Sequence, residues 1–214
     1  MLPLSREAIE EARYLLERGY ARPSVVRFVG DKHILNKSQR LLLYRCVYPP
    51  QASKTHLCKA VRPECVHGNP LTIDGYNILL TLSSAIEGRP IYLCDDGFVR
   101  DISARKRSLS PTRLSACLDP IIRALEQLTP SRVTFIYDKQ VSRSGELASK
   151  TVKAFGATRI QIAARTSGKA DSEALNSGEI LATSDSVMIE KASRVFDLAG
   201  HIIIRHLGLT PTKI

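Results

Sequence analysis

From residue 71 onward, short apolar runs alternate with stretches of helical periodicity, and no other feature narrows the possible folds of this chain as far. The runs LTID, PIYLCD, RVTFIYD, TRIQIAA, ILATS and HIII are separated by helical patterns near 77–86, 111–128, 144–155 and 187–198. Strands and helices in alternation predict an α/β architecture with a mainly parallel sheet, three layers deep because helices cover both faces. Three of the apolar stretches finish on an aspartate, at Asp74, Asp138 and Asp185, and PIYLCD runs into Asp95 and Asp96.

Residues 1–50 follow a different pattern. Ser5 to Arg18 reads as an amphipathic helix with Ser5 as its cap, a second helix starts near Pro23, and a third runs from about Asn36 to Tyr48 before Pro49 and Pro50 stop it. The expectation is a small all-α module over 1–50, a linker over 51–69 and an α/β domain over 70–214. The linker holds His56, Cys58, Cys65 and His67, all potential zinc ligands, but H-x-C and C-x-H pairs six residues apart match no usual finger spacing, so zinc is not expected.

A hydrophobic content of 43% with 24% charge describes a globular chain rather than a disordered one. No apolar run approaches the roughly 18 residues that a spanning helix needs, and the N-terminus mixes charges into its apolar pattern, so neither a membrane partner nor a signal peptide is expected. Five cysteines without a C-x-x-C pair suit a reducing cytoplasm better than a disulfide framework. The sequence leaves the oligomeric state open, a homo-oligomer included.

The formal charge of +10 favours a polyanionic partner, with nucleic acid the first candidate. Residues 1–69 carry 12 Lys/Arg against 6 Asp/Glu and are the more basic part. Arg22, Arg27, Lys32, Lys37, Arg40 and Arg45 dot the helical module, either as a phosphate-binding face or as an ordinary solvated one. The segment GFVRDISARKRSLS adds Arg105, Lys106 and Arg107.

Ligands of an open parallel sheet gather at the carboxyl ends of its strands, which is where Asp74, Asp95, Asp96, Asp138 and Asp185 are expected. Several carboxylates kept at one edge repel one another unless divalent cations compensate, and two such ions would bind a phosphodiester and activate water. Asp171, in the loop KADSE, joins them if that loop folds over the edge. Each strand-end Asp also precedes a helix and is a favoured cap, so a single one means little. The Asp-Asp-Gly of 95–97 is an ordinary turn composition.

In their order along the chain, IDGYN (73–77), FIYD (135–138), KADSE (169–173) and ATSD (182–185) resemble the motifs of PIN-like nucleases, most closely the NYN branch, over about residues 70–206. The N-terminal stretches LLERGY, FVGDKHIL and QRLLLYRC resemble a domain of unassigned activity that occurs in archaea fused to such a region. The resemblance implies a PIN-like fold and a metal-dependent ribonuclease. In it, Asp74, Asp171 and Asp185 hold Mg2+ or Mn2+ and Asp138 completes the acidic pocket. Asn77 and Ser184 orient the carboxylates, while Lys139, Arg143 and the 105–107 segment contact phosphate. An early-helix acid of the family has no clear counterpart here: Glu87 sits near a helix end, and Asp96 or Asp101 is the candidate replacement. The alternatives are an RNA-binding or assembly protein of this fold without strong catalysis, and a phosphatase-like or receiver-like domain using Asp95 and Asp96. The last is disfavoured because D-x-D-x-T is absent.

Overall fold

The computed structural model describes residues 4–102 and 111–214. The N-terminal region is helical, with α1 (Arg6–Glu17), α2 (Arg22–Lys32) and α3 (Lys37–Cys46) as expected, followed by a fourth helix, α4 (Pro50–Lys59). Local capping fixes these ends. Ser5 Oγ accepts from the Ala8 amide at the start of α1, and Asn36 and Gln39 form a reciprocal capping box at the start of α3. The expected linker is therefore largely helix. The paired prolines do more than stop α3: Pro50 occupies the first turn of α4, where its missing N–H costs no hydrogen bond.

The main sheet contains β1 (Pro70–Asp74), β4 (Arg132–Asp138), β5 (Ile162–Ser167), β6 (Ile180–Ala182) and β7 (Val195–Phe196), all paired in parallel in the order β5-β4-β1-β6-β7. Helices α5 (Gly75–Ile86), α6 (Pro111–Leu128), α7 (Ser144–Ala154), α8 (Ala170–Leu175), α9 (Ser186–Lys191) and α10 (Leu198–Arg205) form the connections or follow the strands. The period-two geometry of β4 shows why the sheet is covered twice. Phe135 and Tyr137 pack with Leu79, Leu82, Ile121 and Ile202, whereas Ile136 points the other way into a cluster with Leu181, Met188 and Ile189.

Two predicted strands differ in the structure. PIYLCD does not join the parallel sheet. Its residues Ile91–Leu93 form β2, which pairs antiparallel with β3 (Val99–Asp101) and parallel with β8 (Thr212–Lys213) in a separate small sheet. HIII lies within α10, where Asp197 accepts from the Gly200 amide as a cap and both Ile202 and Ile203 are fully buried. The helix expected over 187–198 is likewise interrupted, because α9 ends at Lys191 and the chain turns extended to add β7.

The helical region packs on the small sheet. Ala8, Val25, Leu42, Leu43 and Cys46 share a cluster with Tyr92 and Cys94. Asp95 forms a two-pronged ion pair with Arg13 of α1 and also accepts from the Tyr48 amide at 3.0 Å. Lys59 of α4 donates to the Ile189 and Glu190 carbonyls at the end of α9, and the Val61 amide donates to Val195 at the β7 edge. Among the described residues no helix is long and apolar enough to cross a membrane.

Candidate active site

The strand order turns on β1. The chain leaves β1 for β4 and β5 on one side, then crosses back to place β6 and β7 on the other. Outside the carboxyl ends of β1 and β6 the two crossovers diverge, leaving the crevice in which α/β sheets hold ligands. Asp74 ends β1, and Thr183, Ser184 and Asp185 follow β6 directly.

Asp74 is partly buried. Its Oδ2 accepts from Thr183 Oγ1 at 3.0 Å and its Oδ1 from the Asn77 amide at 3.5 Å, so it both caps α5 and ties β1 to the segment after β6. Gly75 permits this entry into the helix, because a Cβ there would lie 2.2 Å from the ring of buried Tyr137. Asn77 Oδ1 accepts from both the amide and the hydroxyl of Ser184, at 2.8 and 3.0 Å. Asn77 and Ser184 therefore brace the two segments against each other, and it is Thr183 that touches the carboxylate.

Asp138 ends β4, two positions beyond Ile136, the β4 residue that pairs with Asp74 of β1. It accepts from the Gln140 amide at 2.8 Å and so shapes the turn below it. Asp171 sits exposed in the first turn of α8, and Asp185 is exposed as the cap of α9, accepting from Val187 and Met188. All four acids line one cavity of about 260 Å3, with Tyr76 and Asn77.

Burial, with added repulsion from Asp185 and Asp171, pushes Asp74 up to about 7 despite the hydrogen bonds from Thr183 and Asn77. Burial and the Asp138 charge raise the Tyr76 phenol, so that it stays protonated at neutral pH and is able to donate. Neither Tyr76 nor Thr183 stands out in the sequence, although both lie inside the motifs quoted above.

Carboxylate, hydroxyl and amide oxygens without thiolate or imidazole are the donors that Mg2+ or Mn2+ prefers, so the residues suit such an ion in kind. As placed, no three acidic, His or Cys side chains among the described residues stand close enough to cage a metal. The exposed Asp171 and Asp185 would have to turn inward to complete a site.

Other expected residues fall elsewhere. Asp95 is held by Arg13, and Asp96 is fully buried at the module boundary. There Arg100 grips Asp96 through two bonds of 2.6 and 2.7 Å, and His56 Nδ1 lies 2.8 Å away. Asp96 thus serves structure rather than the acid cavity. Its one link to the site is indirect: Arg100 Nε donates to the Ser184 carbonyl at 2.6 Å. This bond could not be read from spacing, since it joins positions 84 apart. Of the would-be zinc ligands, His56 belongs to this cluster, Cys58 and Cys65 are exposed, and His67 meets Thr129. Lys139 and Arg143 flank Asp138 on exposed backbone, with Arg143 paired to Glu146. Arg105, Lys106 and Arg107 lie outside the described residues. In the helical module, Arg22 and Arg40 serve internal carbonyls, which removes them from the candidate phosphate face.

Residues 63–201 match the family described as Domain of unknown function (DUF5616). The chain belongs to that family. Residues 6–59 match a second one, Protein of unknown function (DUF434), and the change from one to the other falls between the end of α4 and Pro63. Uncharacterized protein MJ0935 of Methanocaldococcus jannaschii is 31% identical over 200 residues, which cover 92% of this chain and 95% of that protein. No solved structure matches the chain.

Proposed function

We propose that this protein is a metal-dependent ribonuclease that hydrolyses phosphodiester bonds at the cavity formed by Asp74, Asp138, Asp171 and Asp185. The observation that carries the reading is the convergence of these four acids, from four separate segments, on one cavity at the switch point of the sheet. The basic balance of the chain and the likeness of IDGYN, FIYD, KADSE and ATSD to PIN-like nucleases of the NYN type support it.

Asp74, Asp171 and Asp185 would hold Mg2+ or Mn2+, which when bound supplies charge neutralisation at the phosphate and lowers the pKa of water. Asp74 must give up its proton to serve as a ligand, so activity should rise with pH through about 7. Thr183 orients Asp74 through one bond to Oδ2 and leaves lone pairs on both oxygens for an ion, and the Asn77–Ser184 bonds hold Asp185 in register with it. Tyr76 lines the same cavity with a protonated phenol suited to a phosphate oxygen.

The test is cleavage of single-stranded and structured RNA in Mn2+ by the parent, Asp74→Asn and Asp185→Asn. Loss of activity in both variants, by about 100-fold or more as expected when a transition-state charge contact is removed, supports the assignment. Cleavage that survives both substitutions overturns it. A second reading, an RNA-binding protein of the same fold without catalysis, draws on the absence of a closed metal cage among the described residues. It predicts salt-sensitive RNA binding indifferent to EDTA and no cleavage by the parent.

A further inference from the structure

A second cavity, of about 230 Å3, adjoins the acid cavity and shares Asn77 and Asp185 with it. Its far wall comes from the helical module, in which α3 contributes Tyr44 and Arg45. The floor is Arg100, Asp101 and the Ser184–Ser186 segment.

The charges of this cavity are matched rather than in surplus. Arg100 is neutralised by Asp96. Arg45 donates to the Asp101 carbonyl at 3.2 Å and lies 3.9 Å from its carboxylate, which is also held by Ser84. Asp185 adds a negative charge at the shared wall. A phosphate would meet two carboxylates here, and a pocket built for one would carry excess cation. A neutral heterocycle with both donors and acceptors on its rim fits better, because guanidinium, hydroxyl and carboxylate groups all face the same space. Tyr44, 45% exposed, supplies an aromatic surface at the mouth, and Arg45 supplies a planar cation beside it. Stacking on an aromatic ring or a guanidinium plane, with polar groups meeting the base edge, is how proteins hold unpaired bases.

We propose that this cavity is a nucleobase subsite, with Tyr44 stacking on a base and Arg45 and Ser186 meeting its edge, next to the phosphate held in the acid cavity. The inference rests on the nuclease reading and gives the helical module a task in it. The module completes the substrate groove, and the bound base must be unpaired to enter.

The test is binding of fluorescent single-stranded octaribonucleotides of A, C or U, measured by anisotropy in Ca2+, which neutralises the acid cavity, with the full-length protein. The variants are Tyr44→Ala, Tyr44→Phe, Arg45→Gln and Arg45→Lys. Arg159→Gln, an exposed change preceding β5 at the opposite edge of the sheet, is the control. Tyr44→Ala should weaken binding about 10-fold, the scale of one lost base stack. Tyr44→Phe should stay close to the parent, Arg45→Lys should fall less than Arg45→Gln, and the losses should differ among the three bases. Tyr44→Ala and Arg45→Gln proteins that bind like Arg159→Gln overturn the subsite. So does a uniform loss for all three bases with a lowered melting temperature, which marks a folding defect, and so does a parent that binds none of the octamers. Cleavage in Mn2+ is recorded in parallel. Base-dependent binding without cleavage removes the nuclease reading and leaves the subsite standing; cleavage indifferent to Tyr44 does the reverse.

Discussion

Asp74 and Asp96 are both withdrawn from solvent, yet the protein treats them in opposite ways. Burial would raise Asp96, but hydrogen bonds from His56 and Arg100, together with the Arg100 charge, hold it below the usual carboxylate range. Among the described residues Asp74 accepts from neutral donors, Thr183 and the Asn77 amide, and faces further acids; it rises to about 7. A buried carboxylate satisfied by a guanidinium and an imidazole is a structural joint, here linking α4 to β3. One left beside other carboxylates in an open cavity keeps an electrostatic cost that its capping bonds do not offset, and on the nuclease reading a cation from outside relieves it. The raised value alone does not make the distinction. Asp197, also partly buried and pushed up to about 6 by loss of hydration, caps α10 and accepts from the Val99 and Gly200 amides away from the acid cavity. Position in the crevice separates Asp74 from Asp197.

The contrast breaks most readily at Asp96. Asp96→Asn leaves the Arg100 charge buried without its partner and should cost about 3–5 kcal/mol, read by urea unfolding. A loss below about 1 kcal/mol would mean that the cluster contributes no more than an exposed ion pair.

Asp74→Asn should act in the other direction. The folded value of Asp74 lies above its unfolded one of 3.8, so the wild type is most stable below that pH and loses stability as pH rises through about 7. The amide variant escapes this loss. It should exceed the parent by up to about 4 kcal/mol at pH 8 in EDTA, with the difference vanishing near pH 4. Equal stability across that range would show that Asp74 is no less comfortable than an ordinary surface acid. A smaller effect is expected at Gly75→Ala. The added methyl meets the Tyr137 ring, which is locked by packing against Tyr76 and by a 2.8 Å hydrogen bond to Thr151, at a cost of about 1–3 kcal/mol.

The sequence carries the parallel sheet because LTID and RVTFIYD are apolar on both faces, as strands buried from two sides must be, and each is followed by a helical pattern. It misplaces PIYLCD because a short apolar run has the same composition in an antiparallel hairpin as in a central strand. It misplaces HIII because β-branched residues read as a strand until their neighbours Leu198 and Ala199 and the Asp197 cap are seen to complete a buried helix. Helix α4 was hidden by its polarity, since His56 is its one buried residue. Of the site, the acids were legible as strand ends. The split of Asp95 and Asp96 away from them was not, because their partners Arg13 and His56 come from the module, 82 and 40 positions distant.

The central claim is that the Asp74 cavity, and not the Asp96 cluster, takes a divalent cation. Crystals of the full-length protein grown with Mn2+ and read by anomalous scattering test it most directly. The account predicts a Mn2+ peak between Asp74 and Asp185, with Asp171 turned inward, that disappears in Asp74→Asn. A cavity without Mn2+ in well-ordered crystals, or a peak that persists unchanged in Asp74→Asn, would contradict it.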